Sequence, residues 1–179
     1  MKGSRVAARY AKSMIQLAQE QGALEKVYAN MKDIKGTIQS NEELDIVLKS
    51  PLIKPEKKKE ILVTIFKTTE KLTHSLLEQL VGQNREMHLE LVANEFIAQY
   101  NILKGIVIAK VTSAKKINDK DLKSLSASLK EQFNCSEVVI EERIDETLLG
   151  GMIVRIGDKQ IDNSIDRRIK DLKNELIQA

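Results

Sequence analysis

Apolar positions along the first hundred residues recur at helical spacing. Val6, Ala7, Tyr10, Ala11, Met14, Leu17 and Ala18 make one wide apolar face, and Gly22 is placed to end the helix that carries it. Leu24, Val27, Tyr28, Met31, Ile34 and Ile38 predict a second helix. Ser40 or Asn41 caps a short third helix through Leu44, Val47 and Leu48, stopped by Pro51. Pro55 suits the first turn of a fourth, through Ile61, Leu62, Ile65 and Phe66. Leu72, Leu76, Leu77, Leu80 and Val81 predict a fifth. Asn84 is placed to cap a sixth, through Leu89, Val92, Phe96, Tyr100 and Leu103, ending near Gly105. Six such stripes joined by short polar links predict one helix bundle.

The period changes at residue 106. Residues 106–111 are β-branched and read as a strand. Asn118 and Asp119 open a helix through Leu122, Leu125, Leu129 and Phe133. Residues 136–144 read as another strand, with Val138 and Ile140 on one face and Val139, Glu141 and Arg143 on the other. The segment 148–176, LLGGMIVRIGDKQIDNSIDRRIKDLKNEL, then orders strand, tight turn at Gly157-Asp158, short strand, cap and helix. Met152, Val154 and Ile156 alternate with Ile153, Arg155 and Gly157. The last helix, opened by Asp162-Asn163-Ser164, carries Ile165, Ile169, Leu172 and Leu176 on one stripe. The pattern as a whole predicts an α+β protein: a six-helix bundle over residues 1–105 and a small α+β domain over residues 106–179.

Composition narrows the function. The chain has 179 residues, 42% hydrophobic and 31% charged, but only 3% aromatic, so its cores rest on Leu, Ile, Val and Ala. The net charge of +3 arises in residues 1–105, with 16 basic against 13 acidic residues; residues 106–179 balance at 13 each. So small an excess argues against a polyanion partner. The run Lys57-Lys58-Lys59 reads as a solvated helix face. The single Cys135 points to a reducing compartment and a small, partly buried residue. The opening MKGSRVAARYAKSM has no continuous apolar core of a signal peptide, and its helical pattern runs on through residue 21 as mature structure. No run approaches the roughly 18 apolar residues of a membrane span. Membrane association therefore has to come through a partner.

Catalytic chemistry is hard to find. His74 and His88 lie on separate predicted elements, with no Cys or second His at metal-ligand spacing. The glycines of GGMIVRIG precede a strand and aim no backbone amides at a phosphate. Glu141-Glu142 and Asp145-Glu146 carry no mark of acid–base work. Aromatic and basic residues are not interleaved as a nucleic-acid platform requires. No catalytic residue, cofactor site, metal site or small-molecule substrate is expected. Surface for partners remains. The small residues on the first helix read either as bundle core or as one wall of a groove for another helix, with Leu76, Leu77 and Leu80 as the second wall.

Three segments together resemble one family. ARYAKSMIQLAQEQG at residues 8–22, SPLIKPEKKKEIL at residues 50–62 and LLGGMIVRIGDKQIDNSIDRRIKDL at residues 148–172 are similar, in order and across the whole chain, to the delta subunit of the bacterial F-type ATP synthase, the relative of the mitochondrial oligomycin-sensitivity-conferring protein. Asn163 stands where many members have glycine; asparagine tolerates similar turn geometry. The resemblance implies the same two-domain fold and a non-catalytic stator role. The subunit would link the catalytic head to the peripheral stalk and resist rotor torque during proton-driven ATP synthesis. It implies that Tyr10, Ala11, Met14, Leu76, Leu77 and Leu80 line a groove for the N-terminal helix of an alpha subunit. It also implies that Gly150, Gly151, Met152, Ile165 and Ile169 position or make the contact with the stalk's b subunits. The expected location is peripheral, on the cytoplasmic face of the bacterial plasma (inner) membrane. The alternative reading is an RNA- or ribosome-associated helical module, motivated by the slight basic excess and the lysine run.

Overall fold

A computed structural model describes residues 2–178; the side chains of Lys2, Leu172, Glu175, Ile177 and Gln178 lie outside the described set, and with them Leu172 of the expected C-terminal stripe. Among the described residues the chain is mostly helical, with eight α-helices and one four-stranded sheet near the C-terminus, an α+β architecture. It divides into two compact units, Met1–Tyr100 and Asn101–Ala179.

The first unit starts with α1 (Lys2–Glu20), α2 (Leu24–Ser40) and α3 (Glu42–Lys49). Gly22, at φ 62°, turns the chain between α1 and α2, and the Ala23 N–H donates back to the Ala18 carbonyl at 2.9 Å. Asn41 is the cap of α3, its side chain accepting from the Leu44 N–H at 3.2 Å. Then come α4 (Pro55–Ile65), with Pro55 in its first turn, α5 (Lys71–Gly82), a 3₁₀ turn (Glu86–His88) and α6 (Leu89–Lys104). α1 packs on α2 and α5, and α4 packs on α5. Phe96, Met31, Ile34, Leu62, Leu77, Leu80 and Leu89 fill the interior.

Two local expectations change. Asn84 does not cap α6. It adopts a left-handed conformation at φ 52° just past the end of α5, its N–H donating to Val81 O at 3.0 Å. Asparagine tolerates this geometry, and the 3₁₀ turn then delivers the chain to α6. Lys58 is not part of a solvated face. It shares the buried stripe of α4 with Leu62 and is 3% exposed. Its Nζ donates to Glu86 Oε1 at 2.7 Å and to the Leu48 carbonyl at 3.0 Å. Lys57 is exposed, and Lys59 pairs with Glu78 at the surface at 3.1 Å. The Lys58–Glu86 pair therefore ties α4 to the end of α3 and to the turn before α6.

The second unit holds β1 (Ile106–Ser113), α7 (Asp119–Phe133), β2 (Glu137–Ile144), β3 (Met152–Ile156), β4 (Lys159–Asp162) and α8 (Ile165–Gln178). The last turn of α6 goes with this unit because Gly105 is bound into it. Gly105 takes φ 65°, and its carbonyl accepts from the N–H groups of Ser136 at 2.9 Å and Glu137 at 3.3 Å. The strand order is β2-β1-β3-β4. β1 and β2 are parallel, joined by α7 as a crossover, whereas β1–β3 and β3–β4 are antiparallel. Asn118 caps α7, accepting from the Asp121 N–H at 2.7 Å. Alternation along the strands sends Ala109, Val111, Val138 and Val154 to one face, where Leu125, Leu129 and Phe133 of α7 join them. Cys135 is half-buried against this core.

Candidate partner-docking surfaces

On α1, Ala7, Ala11, Met14 and Ala18 form a buried stripe at i, i+4, i+7 and i+11. On α5, Leu76, Leu77 and Leu80 are buried as well. Of the six residues expected in the groove, Ala11, Met14, Leu76, Leu77 and Leu80 therefore have their side chains in the bundle interior. Tyr10 alone reaches the surface between the helices.

A surface groove of about 310 Å³ does lie between α1 and the C-terminal end of α5, lined by Arg9, Tyr10, Ser13, Gln79, Gln83 and Arg85. A smaller recess of about 90 Å³ shares Arg9, Tyr10 and Arg85 and adds Arg5 and Val6. The left-handed turn at Asn84 brings Arg85 back towards α1. Its Nη1 donates to the Tyr10 hydroxyl at 3.2 Å, and its guanidinium lies 5.9 Å from the Tyr10 ring centre. Apart from the arginines, the α1 residues that line the groove or its recess are Val6, Tyr10 and Ser13, each one position before a member of the core stripe. Leu17, one position before Ala18, continues the series and is 44% exposed. The wide apolar face of the sequence is thus two stripes about 100° apart, one buried and one presented. That offset is the signal by which sequence reading could have found the groove.

In the second unit the Gly-Gly pair works inside the chain. A Cβ on Gly151 would stand 2.3 Å from the Asn163 carbonyl oxygen, and one on Gly150 would stand 2.7 Å from Ile165 Cδ1. Both glycines have positive φ, 155° and 79°, whereas Asn163 does not. The special backbone therefore falls on the glycines, and asparagine at 163 needs no unusual conformation. The Ile165 N–H donates to Gly150 O at 3.0 Å and the Asn163 N–H to Met152 O at 3.0 Å. Gly150, Gly151, Met152 and Ile165 are thereby brought together, with Ile169 one helical turn on. Ser164 is buried and caps α8, its Oγ accepting from the Arg167 N–H at 3.2 Å. The Asp162 carboxyl is held below its ordinary value of 3.8, chiefly by side-chain and then backbone hydrogen bonding to Ser164.

α8 leaves this anchored start with an uncovered apolar stripe. Ile165 is 42%, Ile169 52% and Leu176 81% exposed. The sheet face opposite α7 carries mixed charge around a shallow cavity of about 530 Å³, with Lys110, Glu141, Arg143 and Arg155 in its lining. Among the described residues no three His, Cys, Asp or Glu side chains gather as metal ligands, and no helix is long and apolar enough to cross a membrane.

The sequence model for the ATP synthase delta (OSCP) subunit matches residues 6–176. The chain belongs to this family. It is 37% identical over 176 residues to the ATP synthase subunit delta of Flavobacterium psychrophilum, covering 98% of this chain and 99% of that one. With the delta subunit of Cytophaga hutchinsonii it shares 36% over 176 residues, covering 98% and 96%, and with that of Christiangramia forsetii 35%, covering 98% and 95%. Its fold matches a chain in the cryo-EM structure of the Toxoplasma gondii mitochondrial ATP synthase hexamer, with a TM-score of 0.75 at 20% identity, covering 96% and 97%. As a member of the delta/OSCP family the chain is a non-catalytic, stator component of ATP synthase.

Proposed function

We propose that this stator subunit joins two neighbours through its two units: residues 1–105, as a six-helix bundle, hold the catalytic head, and residues 106–179 hold the peripheral stalk. The head contact is the N-terminal helix of an alpha subunit, seated between α1 and α5. The stalk contact is made by b subunits along α8. Ile165 and Ile169 touch the partner, while Gly150, Gly151 and Met152 fix the direction in which α8 leaves the sheet. The complex would place the chain at the cytoplasmic face of a bacterial plasma membrane, held there by its partners.

The observation that carries this reading is the pair of unpartnered faces, one in each unit, on a chain that matches the delta (OSCP) family from residue 6 to residue 176. A static link needs slow dissociation, which buried apolar stripes provide, and two sites on one chain raise the effective concentration of the second partner once the first is bound. RNA binding draws no support: the lysine run is split between a buried ion pair, a surface pair and one exposed residue.

The test is calorimetry of the full chain against an alpha N-terminal peptide and, separately, a soluble b-subunit fragment. Leu17→Glu is expected to weaken the peptide and spare the fragment; Ile169→Glu is expected to do the reverse. Loss of both partners in both variants, or of neither, would refute the division.

A further inference from the structure

We infer that the groove between α1 and α5 selects a helix carrying carboxylates one turn apart along one edge, which Arg5, Arg9 and Arg85 bind. The inference rests on the head-docking reading above and names what that docking recognises. Arg5 and Arg9 sit at i and i+4 on α1, about 6 Å apart along its axis, and both are exposed. They flank the presented stripe of Val6, Tyr10, Ser13 and Leu17. Arg85 approaches the same recess from beyond the end of α5, half-buried and braced on Tyr10. Arg9 and Arg85 thus line both the groove and the recess beside it, Arg5 lines the recess, and neither lining holds a carboxylate. Among the described residues, none of the three takes part in an ion pair.

Arg5 and Arg9, exposed and without an ion pair among the described residues, are available for bidentate contact with a carboxylate, whereas Arg85 is held by Tyr10 through one guanidinium nitrogen and adds positive charge from the far side. The apolar stripe beside it requires an apolar face on the occupant. An amphipathic helix satisfies both demands: residues at i and i+4 put two carboxylates along one edge, level with Arg5 and Arg9, while the neighbouring face covers Tyr10 and Leu17. A nucleic-acid strand would leave Val6 and Leu17 uncovered and would find one aromatic ring to stack on.

The experiment is fluorescence anisotropy of the intact chain with a labelled peptide of about 20 residues, the length of α1, taken from the start of the same organism's alpha subunit. The expected result is an affinity that falls with added salt. It should drop about tenfold or more when the peptide's acidic residues become amides, since hydrogen bonds to charged groups are the strong ones. Arg5→Glu with Arg9→Glu should weaken binding by at least as much, and a peptide with lysine at the acidic positions should prefer that variant. The amide peptide tests the idea on unaltered protein, so a folding defect cannot produce the result. Equal affinity for the acidic and amide peptides would overturn this inference and leave the docking reading standing. No binding of the unmodified peptide would overturn both. An alpha segment without carboxylates one turn apart, or tighter binding of an oligouridine than of the peptide, would also overturn the inference.

Discussion

Lys58 and Glu86 form a buried ion pair in the first unit. Both are buried, and the second carboxylate oxygen of Glu86 has no hydrogen-bond partner among the described residues. Removing one partner leaves an uncompensated charge in the interior. Lys58→Ala is therefore expected to lower unfolding free energy in urea by about 3–5 kcal/mol. Lys58→Met combined with Glu86→Leu is expected to recover most of that loss, and a double variant no better than the single would show that the charge is not the cause. Ala11 offers a simpler check. It has no exposure, so Ala11→Asp is expected to unfold the bundle rather than only to block the groove, as a melting curve would report. Tyr10→Ala, by contrast, is expected to leave the melting temperature nearly unchanged, because the ring is part of the surface groove.

At the scale of elements, the start of α8 depends on three local devices: the two glycines, the Ser164 cap and the Asp162 carboxylate. Gly151→Ala drives a Cβ into the Asn163 carbonyl and imposes a left-handed backbone on alanine. It is expected to destabilise the second unit by more than Ser164→Ala, which loses a cap worth about 1 kcal/mol. Equal losses would contradict the close approach. The lowered pKa of Asp162 adds a pH dependence. A carboxyl depressed in the folded state contributes stability above its ordinary value of 3.8, and that contribution is lost as pH falls through the lower folded value. Protection of the amides at residues 164–168, measured relative to their intrinsic exchange rates, is expected to fall as the pH drops below the ordinary carboxyl value of 3.8, and Asp162→Asn is expected to abolish that pH dependence.

Much of this was legible in the sequence. Period and caps announced the helices: Asn41 and Asn118 cap where they stand, and Gly22 and the Gly157-Asp158 turn fall where the pattern changes. The groove was less legible, because a wide apolar face does not say which half is core. Ala7, Ala11, Met14 and Ala18 differ from Val6, Tyr10, Ser13 and Leu17 by one position, and only packing against α2 and α5 decides between them. The role of Lys58 was hidden for a similar reason. Its partner lies 28 residues away, and a lysine run looks solvated until one member shares a stripe with Leu62. The parallel pairing of β1 and β2 likewise depends on a register that no local motif encodes.

At the scale of the molecule, the chain has a surface groove in one compact unit, an exposed apolar stripe in the other, and no cluster of metal-ligating side chains among its described residues. Its place in the ATP synthase delta (OSCP) family makes it a stator part, and the proposal is that each face holds a different neighbour. The most direct measurement is sedimentation of purified catalytic head with a soluble stalk fragment, with and without this chain. A three-part complex is predicted only when the chain is present. It should be lost on Leu17→Glu, with chain and stalk still together, and lost on Ile169→Glu, with chain and head still together. Head and stalk that sediment together equally well without the chain would contradict the account.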